Sequence, residues 1–238
     1  MKIKITHLYG LLLEAYGPQK WWPVTPEGAI TPVYSGGPTN DQQRLEVAVG
    51  AILTQNTSWK NVELALQALN KGYLIDISAL SSVDHKHLAK LIKPSGYFNQ
   101  KAKKLKSLAK FFESNSIPSL RRKPTDTLRK LLLEIWGVGP ETADSILLYA
   151  FGRPIFVIDA YTVRILSRLG LCDKEVNYDS LQSMFHTALA RNDSSKATVK
   201  LYNEFHALLV AHGKDICKPT PRCAQCMLLD HCQYAHSK

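Results

Sequence analysis

From Asp41 onward the apolar residues recur at helical spacing. Leu45, Ala48, Val49 and Ile52 share one face of a helix that runs out at Thr54-Gln55-Asn56-Thr57. Val62, Ala65, Leu66 and Leu69 share a face of the next, which Ser58 is placed to cap and Lys71-Gly72 to end. A third contains Leu88, Leu91 and Ile92 and stops at Pro94-Ser95-Gly96. Over 97–112, Ala102, Leu105, Leu108, Ala109 and Phe112 are expected inside, with Lys101, Lys103, Lys104, Lys106 and Lys110 around the outside. After a turn at Ile117-Pro118, Thr125 is placed to cap a helix through Leu128, Leu131, Leu132 and Ile135. Further helices are expected over 8–16, 161–168, 179–190 and 197–212. No stretch alternates as a strand would and none repeats, so the chain reads as all-α. The segment 17–39 is a loop, rich in Pro and Gly and carrying Trp21, Trp22 and Tyr34.

One stretch, 136–164, joins two features that elsewhere stay apart. Gly137-Val138-Gly139 ends one helix, and Pro140 suits the first position of the next, whose apolar face is Ala143, Ile146, Leu147 and Ala150. A glycine turn that feeds a helix lets the backbone approach another surface and aims free N–H groups at it, which suits an anion. An ordinary helix-helix corner needs glycine as well. Past Gly152 and Pro154, the apolar run Ile155-Phe156-Val157-Ile158 delivers Asp159 to the start of a further helix. Alone, that aspartate reads as an N-cap.

With 45% hydrophobic residues in 238, the chain can bury a large core as one or two domains. No apolar run approaches the length of a membrane span, and the N-terminus lacks the pattern of a signal peptide, so a soluble intracellular protein of the cytoplasm or nucleoid is expected. Thirty Lys and Arg against twenty Asp and Glu give a net charge of +10, which favours a polyanionic partner. Four of five cysteines, Cys217, Cys223, Cys226 and Cys232, follow the spacing C-x5-C-x2-C-x5-C. Four thiolates so close together suit a 4Fe-4S cluster, with zinc as the competing metal; Cys172 reads as a buried apolar residue.

Taken together, Gly137-Val138-Gly139, Gly152, Pro154 and Asp159 resemble the helix-hairpin-helix Gly/Pro/Asp superfamily of DNA glycosylases, to which endonuclease III belongs. Within it, Trp21-Trp22-Pro23, the run Gly50-Ala51-Ile52-Leu53-Thr54-Gln55-Asn56-Thr57, the run from Pro94 to Lys103 and Glu141-Thr142-Ala143-Asp144 look like the 3-methyladenine (methylpurine) glycosylase branch. The resemblance implies an all-α, two-domain fold. Residues 41–153 would form a six-helix bundle with the hairpin, and 1–40 plus 154–238 a second helical domain with the cluster loop 217–232. It implies that Asp159 is catalytic, that Trp21, Trp22 and Trp59 take the damaged base, and that Gln55 fills the gap left in the duplex. Asn56, Gly137, Val138, Gly139, Glu141 and Thr142 would join Gln55 in binding DNA.

The cysteine loop is similar to that of endonuclease III and implies a 4Fe-4S cofactor, although five residues separate the first two cysteines here where that family has six. Bifunctional relatives carry a lysine in the hairpin where this chain has Glu141. That implies a monofunctional N-glycosylase, acting as a monomer on duplex DNA with alkylated purines such as 3-methyladenine and 7-methylguanine. Two alternatives stay open at this point: an endonuclease III-type glycosylase and AP lyase for oxidised pyrimidines, and a non-catalytic damage-binding module.

Overall fold

A computed structural model describes residues 2–190 and 196–237, and these are helical apart from connecting loops. Among them, strand-like pairing is confined to one antiparallel bridge between Val24 and Val33. No helix among them is long and apolar enough to cross a membrane. The chain divides into two compact units, Lys20–Arg153, and Met1–Gln19 with Pro154–Lys238.

The first of these units is built around the helix Asp41–Leu53, in which every residue from Leu45 to Leu53 is buried. A helix apolar on all sides must be surrounded, and each fully buried Leu, Ile or Val there contributes roughly 1.5–3 kcal/mol. Around it lie the helices Trp59–Lys71, His85–Leu91, Phe98–Ser114, Thr125–Leu133 and Pro140–Ser145, the last continuing as a π-helical turn, Ile146–Ala150. The short helices Ile77–Ser82 and Ile117–Arg121 add to those the periodicity predicts; the Asp76 and Ser116 side chains cap them. Thr125 opens its helix without a side-chain cap bond, its N-cap position being Pro124, and Ser58 also caps by position alone.

Two expectations are corrected here. The loop that includes Trp21 and Trp22 was expected to belong with the C-terminal helices, yet 20–40 packs into the first unit. The Thr25 N–H and hydroxyl donate to Glu46 Oε1 at 2.9 and 3.0 Å, and Asn70 Nδ2 donates to Thr25 Oγ1 at 2.9 Å. Glu46 is buried, and burial raises its pKa. Trp22 lies on Gly50, where an added Cβ would come within 3.1 Å of the indole. Secondly, Lys101 is not on the outside. It is 2% exposed, and its Nζ donates to Leu53 O at 2.8 Å and Ser95 O at 2.6 Å, satisfying a carbonyl that the end of the central helix leaves unpaired.

The other unit contains the helices Ile5–Tyr16, Ala160–Arg168, Tyr178–Leu189 and Lys196–Asp215. Its core stacks Phe156 on Phe185, ring centroids 3.9 Å apart, with Phe205 edge-on to both. The apolar run before Asp159 is extended and buried but pairs with no strand. Side chains of the helix Tyr178–Leu189 satisfy its backbone instead. Phe156 N–H donates to His186 Nε2 at 3.0 Å, Ile158 N–H to Tyr178 OH at 3.4 Å, and Gln182 Nε2 to Phe156 O at 2.6 Å.

Candidate active site

The hairpin of the first unit is clamped on both sides. Gly137 takes φ +88°, and a Cβ there would fall 2.5 to 2.8 Å from the Lys104 side chain, so glycine is required twice over. Arg129 grips Asp144 through a fork, Nε to Oδ1 at 2.7 Å and Nη2 to Oδ2 at 3.0 Å, tying the helix before the turn to the helix after it. Gln55 is held against the same turn. Its Nε2 donates to Gly137 O at 3.2 Å and Thr142 Oγ1 at 2.9 Å, while Lys104 Nζ donates to its Oε1 at 2.5 Å. A hollow of about 270 Å³ beside it is lined by Gln55, Asn56, Tyr97, Lys101, Lys104 and Trp136 among others. Asn56, Glu141 and Trp136 are exposed, whereas Val138 and Thr142 are buried. Of the residues expected at DNA, Gln55, Gly137 and Thr142 are thus brought into contact with one another.

The tryptophans of the same unit form one aromatic cluster. Trp21 meets Trp59 at a centroid distance of 4.6 Å and an interplanar angle of 64°, and Trp22 meets Trp59 at 5.3 Å, nearly perpendicular. Tyr34 packs at 5.9 Å from Trp21, and Tyr149 at 5.1 Å from Trp22. Trp22 is buried, so Trp21, Trp59 and the half-exposed Tyr34 make up the accessible part. Trp21 and Trp59 stand edge to face, and the rings must part before a base can lie between them. Glu63 Oε1 accepts from Trp59 Nε1 at 2.7 Å.

In the other unit, Asp159 caps the helix Ala160–Arg168. Its Oδ1 accepts from Thr162 N–H at 2.7 Å and Thr162 Oγ1–H at 2.8 Å. Its Oδ2 lies 3.6 Å from His206 Nε2, and about a tenth of either side chain is exposed. Burial alone would raise the Asp159 pKa; the neighbouring His206 and the Thr162 amide and hydroxyl outweigh it and hold the carboxyl below its ordinary range. The result is a fixed carboxylate in a largely dry setting, suited to stabilising a positive charge beside it.

The cysteine loop is strapped to the helix that Asp159 caps. Arg164 donates to Cys217 O at 2.8 Å and Gly213 O at 3.0 Å; Arg168 donates to Lys218 O at 2.6 Å, Pro219 O at 2.9 Å and Cys217 Sγ at 3.2 Å. Cys232 Sγ lies 3.5 Å from Arg168 O, and Cys226 Sγ lies 3.7 Å from His212 Nε2. All four thiols are free. Burial raises the Cys226 pKa, and charge on Cys217, Cys232 and Cys223 would raise it further. Among the described residues, no three metal-capable side chains are already closed around one point.

The sequence reading missed His206, Lys104 and Glu63. His206 shares a buried face with Tyr202, Phe205 and Leu209, a spacing that carried the signal. Lys104 was hidden in a lysine run, and Glu63 looked like one more polar position on an amphipathic helix.

The family profile described as HhH-GPD superfamily base excision DNA repair protein matches residues 49–190. A candidate DNA repair glycosylase of Methanocaldococcus jannaschii is 41% identical over 96% of this chain and 95% of its own length. Endonuclease III of Sulfolobus acidocaldarius is 31% identical over 78% of this chain and 80% of its own. Among solved structures, the 3-methyladenine DNA glycosylase of H. pylori bound to 1,N6-ethenoadenine matches with TM-score 0.69 and 28% identity, over 89% of this chain and 98% of that one. An endonuclease III–DNA complex matches in fold, with TM-score 0.76 and 18% identity over 98% and 96%.

Proposed function

The chain belongs to the HhH-GPD superfamily of base excision DNA repair proteins, and from that premise we propose that it is a monofunctional DNA N-glycosylase releasing alkylated purines from duplex DNA. The observation that carries the substrate class is the aromatic cluster of Trp21, Trp22, Trp59 and Tyr34, supported by the likeness to a 3-methyladenine glycosylase across most of both chains. Purines alkylated at N3 or N7 are cationic in DNA, and ring faces attract cations. Their glycosidic bond is already weakened by that charge, so no strong general acid is needed.

Breaking the bond leaves positive charge on the deoxyribose. Asp159 is the group assigned to stabilise it and to orient the attacking water, with Oδ1 fixed by Thr162 and Oδ2 beside His206. Gln55, held by Lys104, Thr142 and Gly137, is assigned to the space vacated when the base leaves the stack. The hairpin N–H groups, with exposed Asn56, are assigned to the DNA backbone.

Strand cleavage needs an amine nucleophile. The hairpin position carries Glu141, and the buried amine nearby, Lys101, has both its contacts on carbonyls. Burial, and after it the charge of Lys104, lower the Lys101 pKa to about 8.

The donor chemistry of Cys217, Cys223, Cys226 and Cys232 fits a 4Fe-4S cluster: four free thiols stand in one short loop, with Arg168 donating to Cys217 Sγ, Cys232 Sγ near the carbonyl of the same Arg168, and His212 beside Cys226 Sγ. When bound, the cluster would supply cross-linking of the loop and no redox turnover.

The test is incubation with methylated duplex DNA, scoring free bases and strand breaks separately. Release of 3-methyladenine or 7-methylguanine without breaks is expected. Nicking of thymine-glycol DNA with no release of methylated bases would overturn the reading in favour of the endonuclease III type.

A further inference from the structure

Glu63 is the carboxylate set against the aromatic cluster. It sits one helical turn after Trp59, is only partly exposed, and accepts the Trp59 indole N–H at 2.7 Å. Its charge also reaches Tyr34: burial first, and Glu63 second, raise the Tyr34 hydroxyl pKa. Tyr34 and Trp59 both pack on Trp21, at 5.9 and 4.6 Å, so the carboxylate lies at the rim of the surface those three rings expose.

Three rings with a carboxylate at their edge are the parts of a cation site. A ring face attracts a cation through its quadrupole, and an indole whose N–H is bound to a carboxylate is more electron-rich than a free one. The carboxylate adds a direct attraction, and neutral bases gain from neither effect.

We propose that Glu63 selects for charge at this site, favouring bases that carry a positive charge, such as N3- and N7-alkylated purines, over neutral lesions of similar shape. The proposal rests on the reading of the cluster as the base site and adds what sets its preference. The bare alternative is that Glu63 only steadies the Trp59 ring. Glu63→Gln separates the two, since glutamine keeps an acceptor for the indole N–H and removes the charge.

The experiment compares release of 7-methylguanine, a cation, with release of 1,N6-ethenoadenine, which is neutral, from duplex DNA by the wild type and by Glu63→Gln. The expected result is a fall of roughly five- to tenfold in the ratio of the two rates, the size of one partly screened charge contact. An unchanged ratio, whether both rates drop or neither does, overturns the proposal.

Where the wild type does not release both bases, binding is read instead, by quenching of tryptophan fluorescence with 7-methylguanosine against guanosine under mildly acidic conditions. A preference for the cation that Glu63→Gln abolishes upholds charge selection even if the glycosylase reading fails. No preference, or one that the variant keeps, overturns it.

Discussion

Asp144 and Asp159 are two buried aspartates at the two ends of one stretch of chain, and their surroundings fit them for opposite work. Asp144 is fully buried and has each oxygen in the fork of Arg129, at 2.7 and 3.0 Å. Asp159 gives one oxygen to its own helix through Thr162 and turns the other toward a titratable ring, 3.6 Å away. A carboxylate with both oxygens spent on a guanidinium is already neutralised and has little left for a passing charge. One fixed by a single oxygen keeps its position and retains a lone-pair face. Burial is common to both; the role proposed for Asp159 rests on how its second oxygen is engaged.

The comparison breaks most visibly at Asp159. Asp159→Asn keeps the cap on Thr162 and removes the charge, so base release should fall on the order of 10³-fold, or roughly 4 kcal/mol of barrier. Binding to the same duplex, measured by fluorescence anisotropy, should hold. Release within tenfold of the wild type would remove Asp159 from the chemistry and leave it the cap of its helix.

The opposite pattern is expected at the other aspartate. Arg129→Met removes the guanidinium fork from a fully buried carboxylate, a change that costs about 3 kcal/mol and lowers Tm by roughly 10 °C. Calorimetry reads the fall, and base release per folded molecule should move far less than in Asp159→Asn. An unchanged Tm would show that the fork is not what holds the two helices of the hairpin together.

That contrast also explains what the sequence let one read. The hairpin, the buried lead-in and the cap at Asp159 are local patterns, so glycines, Pro140 and apolar spacing disclosed them. Lys101 was placed outside because of its residue type, although 101, 105, 108 and 112 share one helical face and only Lys101 among them is polar; the carbonyl it serves, Leu53 O, lies far away in the chain. Likewise 17–39 read as a loop, but its attachment through Thr25 to Glu46 and Asn70 is tertiary and leaves no period. The spacing of His206 with Tyr202, Phe205 and Leu209 marks it as buried but does not name Asp159 as its neighbour, and the contact of Glu63 with the Trp59 indole likewise leaves no period.

The smallest effect expected sharpens the comparison further. If His206 sets how Asp159 is poised, His206→Gln should lower the rate of base release about three- to tenfold, in the range of one ordinary hydrogen bond. A lost packing contact could do as much, so the pH profile decides. In the folded protein the Asp159 pKa is depressed, burial opposing and His206 with Thr162 prevailing. A carboxylate depressed in this way is ionised at neutral pH, and both its catalytic charge and the stability it adds are lost as pH falls from the ordinary carboxylate range through the lowered pKa. Glutamine removes the contribution of His206 that lowers the Asp159 pKa, so in the variant the acid limb of activity and the acid limb of stability should both begin at higher pH than in the wild type. A lower rate with the acid limb unmoved would make His206 a packing residue and leave Thr162 alone to hold Asp159 ionised.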